Sequence, residues 1–479
     1  MLLKVLENLP IRNDVFWGQV TVRRVPDASD SSIRCYSLRV NFLGQSAGSW
    51  WGGALPAGTY EFPAIGAGEK PEGECNKRYL LAPHESRFGR FVITPGHLTY
   101  LGVIAQTGGR DQYNSLMIPV FGGKQEDIGE ILRESFPELG ALEVRSLAGW
   151  KDSTLPAAQE AVTQYALDNA YGLLGPSQAP DGAWIFGSRV GVVRSWHRGQ
   201  SQAESHYTGY NVALATTAVL PDGSWLAAGD ESTLLRSADG GVDWRSVRGD
   251  LPFGQIAHVV AIGPEVLLTL VRENDVLIYR GDVRSGHWKQ VASHRLEFAV
   301  WTGMRNVRPE SALIGDTYVT TLPSKRLALY HVSTGTSEER GLPGSVMAFS
   351  ASDDGVLRCR CTASFAFSPY ESHDFGKTWQ SSDFPRFMTL PFMIDASHGA
   401  TAYQSGAFDR PTMAYTDDGR SWQRGVDAPR GLNHFFRSRD GQFIYVSDEA
   451  GLLWESNDVG RHWELALHVT LPAGDEVFP

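Results

Sequence analysis

Arginine and aromatic side chains are the chain's best candidates for chemistry. Arg248, Arg295, Arg305, Arg308, Arg386 and Arg430 fall in polar segments between strand-like stretches, and Phe298, Trp301 and Met304 stand beside Arg305 and Arg308. A guanidinium grips a carboxylate through two parallel hydrogen bonds, so these residues suit an acidic protein patch or an acidic glycan. Arg with Trp is also the usual makeup of a binding hot spot. The same aromatics equally fit an inner strand, with Trp301 facing a neighbouring sheet. We take Arg248, Trp301, Arg305, Arg308, Arg386 and Arg430 as the candidate binding set.

Other chemistry finds less support. No Ser-His-Asp order, His-Glu-x-x-His motif or phosphate-binding loop is present. A glycosidase needs two carboxyl groups roughly 5–10 Å apart, and the acids are too numerous to single out a pair. Cys359 and Cys361 stand two apart on one strand face, which predicts poor disulfide geometry, and a metal would need two further ligands that are not evident. Cys35 and Cys75 could pair with each other. We expect no catalytic residue, metal or cofactor.

The segments that position these residues announce themselves by repetition. Ser372-His-Asp374-Phe-Gly376-Lys-Thr378-Trp379 reads S-x-D-x-G-x-T-W, and looser copies end at Trp244, Trp422 and Trp463. In each, an acid (Asp239, Asp374, Asp417, Asp458) stands five before the Trp and a glycine (Gly241, Gly376, Gly419, Gly460) three before it. The acid folds back onto its own loop, the glycine supplies φ > 0, and the Trp plugs the hairpin onto the layer beneath. All four sets are therefore structural. A second beat marks the strand before each hairpin, starting at residues 181, 222, 263, 315, 354, 398 and 440. Seven units of about forty residues bury their faces only against one another, which predicts a ring of four-stranded blades. The last blade is built from its own strands, so ring closure needs no strand exchange.

The octet resembles the Asp-box, or BNR, repeat of sialidase-like β-propellers, over roughly residues 165 to 479. The resemblance implies that the octets join strands three and four, on the face away from the ligand. It would imply three substrate-gripping arginines and a Tyr–Glu pair in an enzyme. The stretch that should open the first blade, Ala183 to Gly191, lacks the Arg-Ile-Pro-type motif, and no Tyr–Glu pair aligns. Asp-box propellers resembling photosystem assembly factors bind proteins instead, although those lack a comparable N-terminal part.

The segments taken as links on the ligand face are 197–210, 245–255, 289–308, 336–344, 380–388 and 423–434. They carry 11 Lys/Arg against seven Asp/Glu. The whole chain is −11, and residues 151–479 are −10. That balance opposes wholesale nucleic-acid binding and predicts a mildly basic face opposite an acidic octet face.

Residues 1–150 read as a small β-sandwich-like domain with a helix over Lys124–Leu139, and a second helix from Pro156 to about Asn169 lies in a linker over 151–170. The propeller then spans 171–479. The early strands weakly resemble β domains of bacterial surface lipoproteins. No apolar run approaches the ~20 residues of a membrane span, and Met1 to Glu7 does not read as a secretion signal. That leaves a cytoplasmic protein, or a periplasmic or surface-exposed one whose leader has been removed. The expected function is a non-catalytic scaffold binding a protein through the face opposite the octets, the alternative a carbohydrate-binding or glycoside-hydrolysing protein.

Overall fold

The computed structural model describes residues 1–8, 19–26, 34–41, 48–66, 90–108, 115–120, 128–140, 142–146, 170, 172–295, 309–322, 325–352, 354–363, 366–382, 390–403, 412–428, 432–448 and 451–468. The expected helix from Pro156 lies outside them.

Among the described residues, seven four-stranded antiparallel sheets follow residue 170, each in simple sequence order. Together they form a β-propeller. Blade 1 runs from β10 (Leu174–Gln178) to β13 (Glu204–Tyr207), and blade 2 from β14 (Leu214–Val219) to β17 (Arg245–Ser246). Blade 3 runs from β18 (Gln255–Ile262) to β21 (His287–Arg295), and blade 4 from β22 (Ser311–Ile314) to β25 (Thr336–Gly341). Blade 5 runs from β26 (Ser345–Ala351) to β29 (Gln380–Ser381), and blade 6 from β30 (Phe392–Met393) to β33 (Trp422–Asp427). Blade 7 runs from β34 (Leu432–Arg437) to β37 (Glu464–His468).

Composition tracks position in the blade. Second strands such as Trp184–Gly187 and Thr317–Leu322 are buried at every residue, because blades cover both of their faces. The outer strand Thr336–Gly341 is Thr-Ser-Glu-Glu-Arg-Gly, exposed at all but Arg340. Among the described residues each blade takes its four strands from one continuous stretch of chain. Trp184 of blade 1 meets Phe436 and Tyr445 of blade 7 at ring-centroid distances of 4.7 and 5.4 Å.

The N-terminal part is also β. Strands β1 (Leu2–Asn8), β2 (Gln19–Arg24), β3 (Arg34–Asn41), β4 (Gly48–Gly52), β5 (Gly58–Gly66), β6 (Phe91–Ile93), β7 (His97–Gly108) and β8 (Ser115–Val120) hydrogen-bond in the order β6-β5-β2-β3-β4-β1-β7-β8. A ninth strand, β9 (Glu143–Ser146), joins β7 in parallel, as β1 does. The helix α1 spans Ile128–Ser135, and Pro137 opens a 3₁₀ turn over Pro137–Leu139. Ile128, Ile131, Leu132 and Phe136 pack into one cluster with Leu2, Trp50, Leu98 and Tyr100. No helix among the described residues is long and apolar enough to cross a membrane.

Two cysteine expectations resolve differently. Cys359 and Cys361 are bonded to each other, contrary to the expectation from spacing. Their Cα atoms are 5.7 Å apart, inside the disulfide range, where the partner strand bulges between Val346 and Ala348. Cys35 is disulfide-bonded, and its expected partner, Cys75, lies outside the described residues.

Candidate protein interface

An antiparallel four-strand meander puts its first and third turns on one edge, and its second turn and exit on the other. The octets therefore share a face with the first turns, and the links between blades lie opposite. On the octet face, Asp374 accepts from the Thr378 backbone N–H at 2.9 Å, the Thr378 hydroxyl at 2.7 Å and the Ser372 hydroxyl at 2.8 Å. The Ser372 hydroxyl in turn accepts from Gly376 N–H at 2.7 Å. Ser237–Asp239 and Ser456–Asp458 repeat the clasp. Gly241, Gly376, Gly419 and Gly460 all have φ between +72° and +95°, as the turn demands. Trp244 and Trp463 donate their indole N–H to the carbonyls of Gly241 and Gly460, and Trp379 to that of Gly341. The Thr378 hydrogen bonds hold the Asp374 carboxyl well below the usual carboxylate range. These acids are charged and locally satisfied, as a clasp requires.

Blade 6 corrects the sequence reading. Asp418, not Asp417, accepts from the backbone N–H groups of Arg420 and Ser421 and from the Thr416 hydroxyl. This octet is one residue shorter between acid and glycine, so counting back from Trp422 selects the wrong acid. The hydroxyl two residues ahead of the acid is the reliable mark: Ser237, Ser372, Thr416 and Ser456 each hold it.

The opposite face also differs from expectation. The strand ends place the true links at 208–213, 247–254, 296–310, 342–344, 382–391 and 428–431. Segment 197–203 is the third turn of blade 1 and belongs to the octet face, and the other assumed links included outer-strand residues. The true links carry five Lys/Arg and four Asp/Glu, and the second turns three and five. By sequence, these links and second turns together carry eight Lys/Arg against nine Asp/Glu, without the basic excess counted over the segments first assumed. Octet-face turns carry 13 Asp/Glu against six Lys/Arg, a net of −7, so the acidic half of the expectation holds.

Of the candidate binding set, Arg248 is described; Trp301, Arg305, Arg308, Arg386 and Arg430 lie outside the described residues. Arg248 is engaged within the chain. Its two terminal nitrogens each reach a Glu130 oxygen of α1 at 2.5 Å, and it also donates to the Leu251 carbonyl. One turn along α1, Glu134 accepts from Arg272 at 3.0 Å. Phe253, from the same link as Arg248, is buried in the cluster of Ile128, Ile131, Leu132 and Phe136. The Trp50 indole donates to Glu231 at 2.8 Å.

Glu231 and the next residue, Ser232, have φ of +57° and +52°, a backbone region that costs a non-glycine residue on the order of 1–3 kcal/mol. Ser232 is fixed by its N–H to Gly254 O and its hydroxyl to Pro252 O, each at 2.6 Å. Asp230 accepts from Gln255 at 2.7 Å. Sequence reasoning missed Trp50, Glu130, Glu134, Glu231, Phe253 and Arg272 as a set. One signal existed: Glu130 and Glu134 lie four apart on a helix, the spacing at which two acids share a face. Among the described residues, no group of three His, Cys, Asp or Glu is placed to hold a metal.

Comparison with known proteins adds fold context. Neither a family model nor a curated protein sequence matches the chain. Solved structures similar to it include YCF48 bound to D1 peptide, at 16% identity and TM-score 0.47, covering 60% of this chain and 93% of that one. BamB from Moraxella catarrhalis matches at 16% identity and TM-score 0.40, over 61% and 86% of the two chains. A putative 6-phosphogluconolactonase from Bacteroides uniformis matches at 13% and 0.40, over 57% and 90%.

Proposed function

We propose that this chain is a non-catalytic Asp-box propeller that binds a protein partner through the face opposite its octets. One observation carries the reading: that face already makes a protein–protein contact, with the chain's own N-terminal sheet and α1. Its means are Arg248, Phe253 and Arg272 on the propeller and Trp50, Glu130 and Glu134 across from them. Trp and Arg are the residue types that dominate association energies. The octet face offers acids already satisfied by their own loops. On this reading the chain divides into an N-terminal β domain over 1–150, a linker over 151–170 and the propeller over 171–479, and the remaining links, with Trp301, Arg305, Arg308, Arg386 and Arg430, supply the partner's contacts. The carbohydrate reading rests on the same arginines, but the described member, Arg248, holds a protein carboxylate.

The test compares the two faces. Arg305→Glu/Arg308→Glu should abolish recovery of crosslinked partners, and Lys377→Glu/Arg420→Glu on the octet face should leave it unchanged. An unaltered partner set in the first variant, or release of 4-methylumbelliferone from sialosides or other glycosides by the native protein, overturns the proposal.

A further inference from the structure

The contact over blades 2 and 3 has the makings of a receptor. Its two cations come from separate segments, Arg248 from the link into blade 3 and Arg272 from the end of the second strand of that blade. They meet acids one helical turn apart, a spacing that the i,i+4 positions of an α-helix provide. Phe253 adds an apolar anchor beside them. The Glu231–Ser232 turn is held in a left-handed conformation against the same contact, as strained turns at ligand clamps are.

The charges of the contact are partly open to water, with side-chain exposures of 22% and 18% for Arg248–Glu130 and 41% and 30% for Arg272–Glu134. Salt screens such pairs. The seam between blades 7 and 1 is different, being built on the buried Trp184, Trp196 and Tyr445. Polar contacts between units of one chain resemble transient interfaces and allow relative motion.

We propose that Arg248, Phe253 and Arg272 form a receptor for an acidic amphipathic helix, which α1 occupies in cis and a partner of the same chemistry contests. The proposal rests on the reading of this face as a protein-binding surface and gives that partner a chemistry. Tethering favours α1, because an intramolecular ligand acts at high effective concentration. The occupied state is therefore the resting one, and a partner must either bind more tightly or act where the ion pairs are weakened.

The experiment uses the full chain. Hydrogen exchange is measured over 247–254 in the native protein, in Arg248→Glu/Arg272→Glu, and in the fourfold swap that adds Glu130→Arg/Glu134→Arg. Exchange should rise by about tenfold in the double variant and return to native in the swap. A labelled peptide of residues 128–140 should then bind the Glu130→Arg/Glu134→Arg chain about tenfold more tightly than the native chain, where α1 holds the site. It should lose binding when Arg248→Glu and Arg272→Glu are added. Unchanged exchange in the double variant, no restoration in the swap, or equal peptide binding by all chains overturns the proposal. Partners recovered through Arg305 and Arg308 while the peptide stays silent would sink the receptor and leave the face reading standing. Peptide binding with a partner set indifferent to those arginines would do the reverse.

Discussion

Arg461, in the octet of blade 7, donates to the Asp417 carboxylate of blade 6 at 2.5 Å, and its guanidinium carbon lies 5.5 Å from the Tyr415 ring centre. The acid that sequence spacing assigns to the blade 6 clasp is thus a staple to the next blade. Both partners are more than a third exposed, so solvent screens the pair and it adds little to stability. Asp418 ties down two backbone N–H groups and a hydroxyl, a capping role that the loop loses with the side chain. Asp418→Ala should therefore lower the urea midpoint clearly and Asp417→Ala barely. The opposite ranking would restore Asp417 to the clasp.

This pair also shows what was legible in the sequence. Local chemistry was: the seven first turns fall where the Asp-Gly and Gly-x beats place them, because a turn is fixed by the few residues that make it. Octets at Trp244, Trp379 and Trp463 were legible for the same reason. Blade 6 was misread because spacing was counted from the Trp when the Ser/Thr–Asp hydrogen bond is what the loop preserves. The N-terminal strands at Gln19–Arg24, Arg34–Asn41 and His97–Gly108 follow their alternation. The parallel pairings of β1 and β9 with β7 depend on partners far away in sequence, and no local pattern encodes them. The α1 contact is hidden likewise: nothing local to Glu130 marks Arg248 as its partner, and only tertiary placement sets the two opposite each other.

Asp374 predicts a pH dependence. Its folded carboxyl is depressed, chiefly by the hydrogen bond from the Thr378 backbone and then by the Thr378 hydroxyl. A group depressed in the folded state stabilises above its unfolded value, near 4 for an aspartate, and loses that contribution as pH falls through the folded value. The native protein should melt above Asp374→Asn at pH 6, and the two melting temperatures should converge below about pH 4. A difference that stays constant from pH 6 down to pH 3 would show that the charge is not what holds the loop.

Gly191 and Gly182 separate strain from space. Both have φ in the left-handed region, +78° and +92°, where an alanine pays about 1–2 kcal/mol. A Cβ at Gly182 meets open space, whereas at Gly191 it would sit 1.7 Å from the Tyr210 carbonyl oxygen. Gly191 O also accepts from the Thr208 N–H and hydroxyl, at 3.0 and 2.7 Å, so the link into blade 2 is pinned and cannot yield cheaply. Gly182→Ala should cost about 1–2 kcal/mol and Gly191→Ala more than about 4 kcal/mol in equilibrium unfolding. Equal costs would mean that the link moves aside.

Ring closure tests which interaction holds the first and last blades together. Among the described residues three kinds cross that seam, one being Arg439 of blade 7, whose backbone N–H and guanidinium donate to the side-chain and backbone oxygens of Gln178 in blade 1, each at 2.7 Å. Arg198 pairs with Glu455 at 3.0 Å and lies 3.9 Å above the Phe443 ring, but its side chain is about half exposed (51%), which limits the ion pair to about 1 kcal/mol. Trp184 is 4% exposed and packs on Phe186, Phe436 and Tyr445. Emptying such a site costs about 3–5 kcal/mol, because the surrounding rings relax only partly into the cavity. Among the described residues no strand is exchanged between blades 1 and 7, and the backbone there is held across the seam only by the exposed Arg439–Gln178 hydrogen bonds. Trp184→Ala should therefore lower the melting temperature far more than Arg198→Ala and speed hydrogen exchange along Trp184–Gly187 and Leu432–Arg437 before the middle blades. If Arg198→Ala proves the more damaging, or exchange rises evenly around the ring, closure does not depend on the aromatic seam.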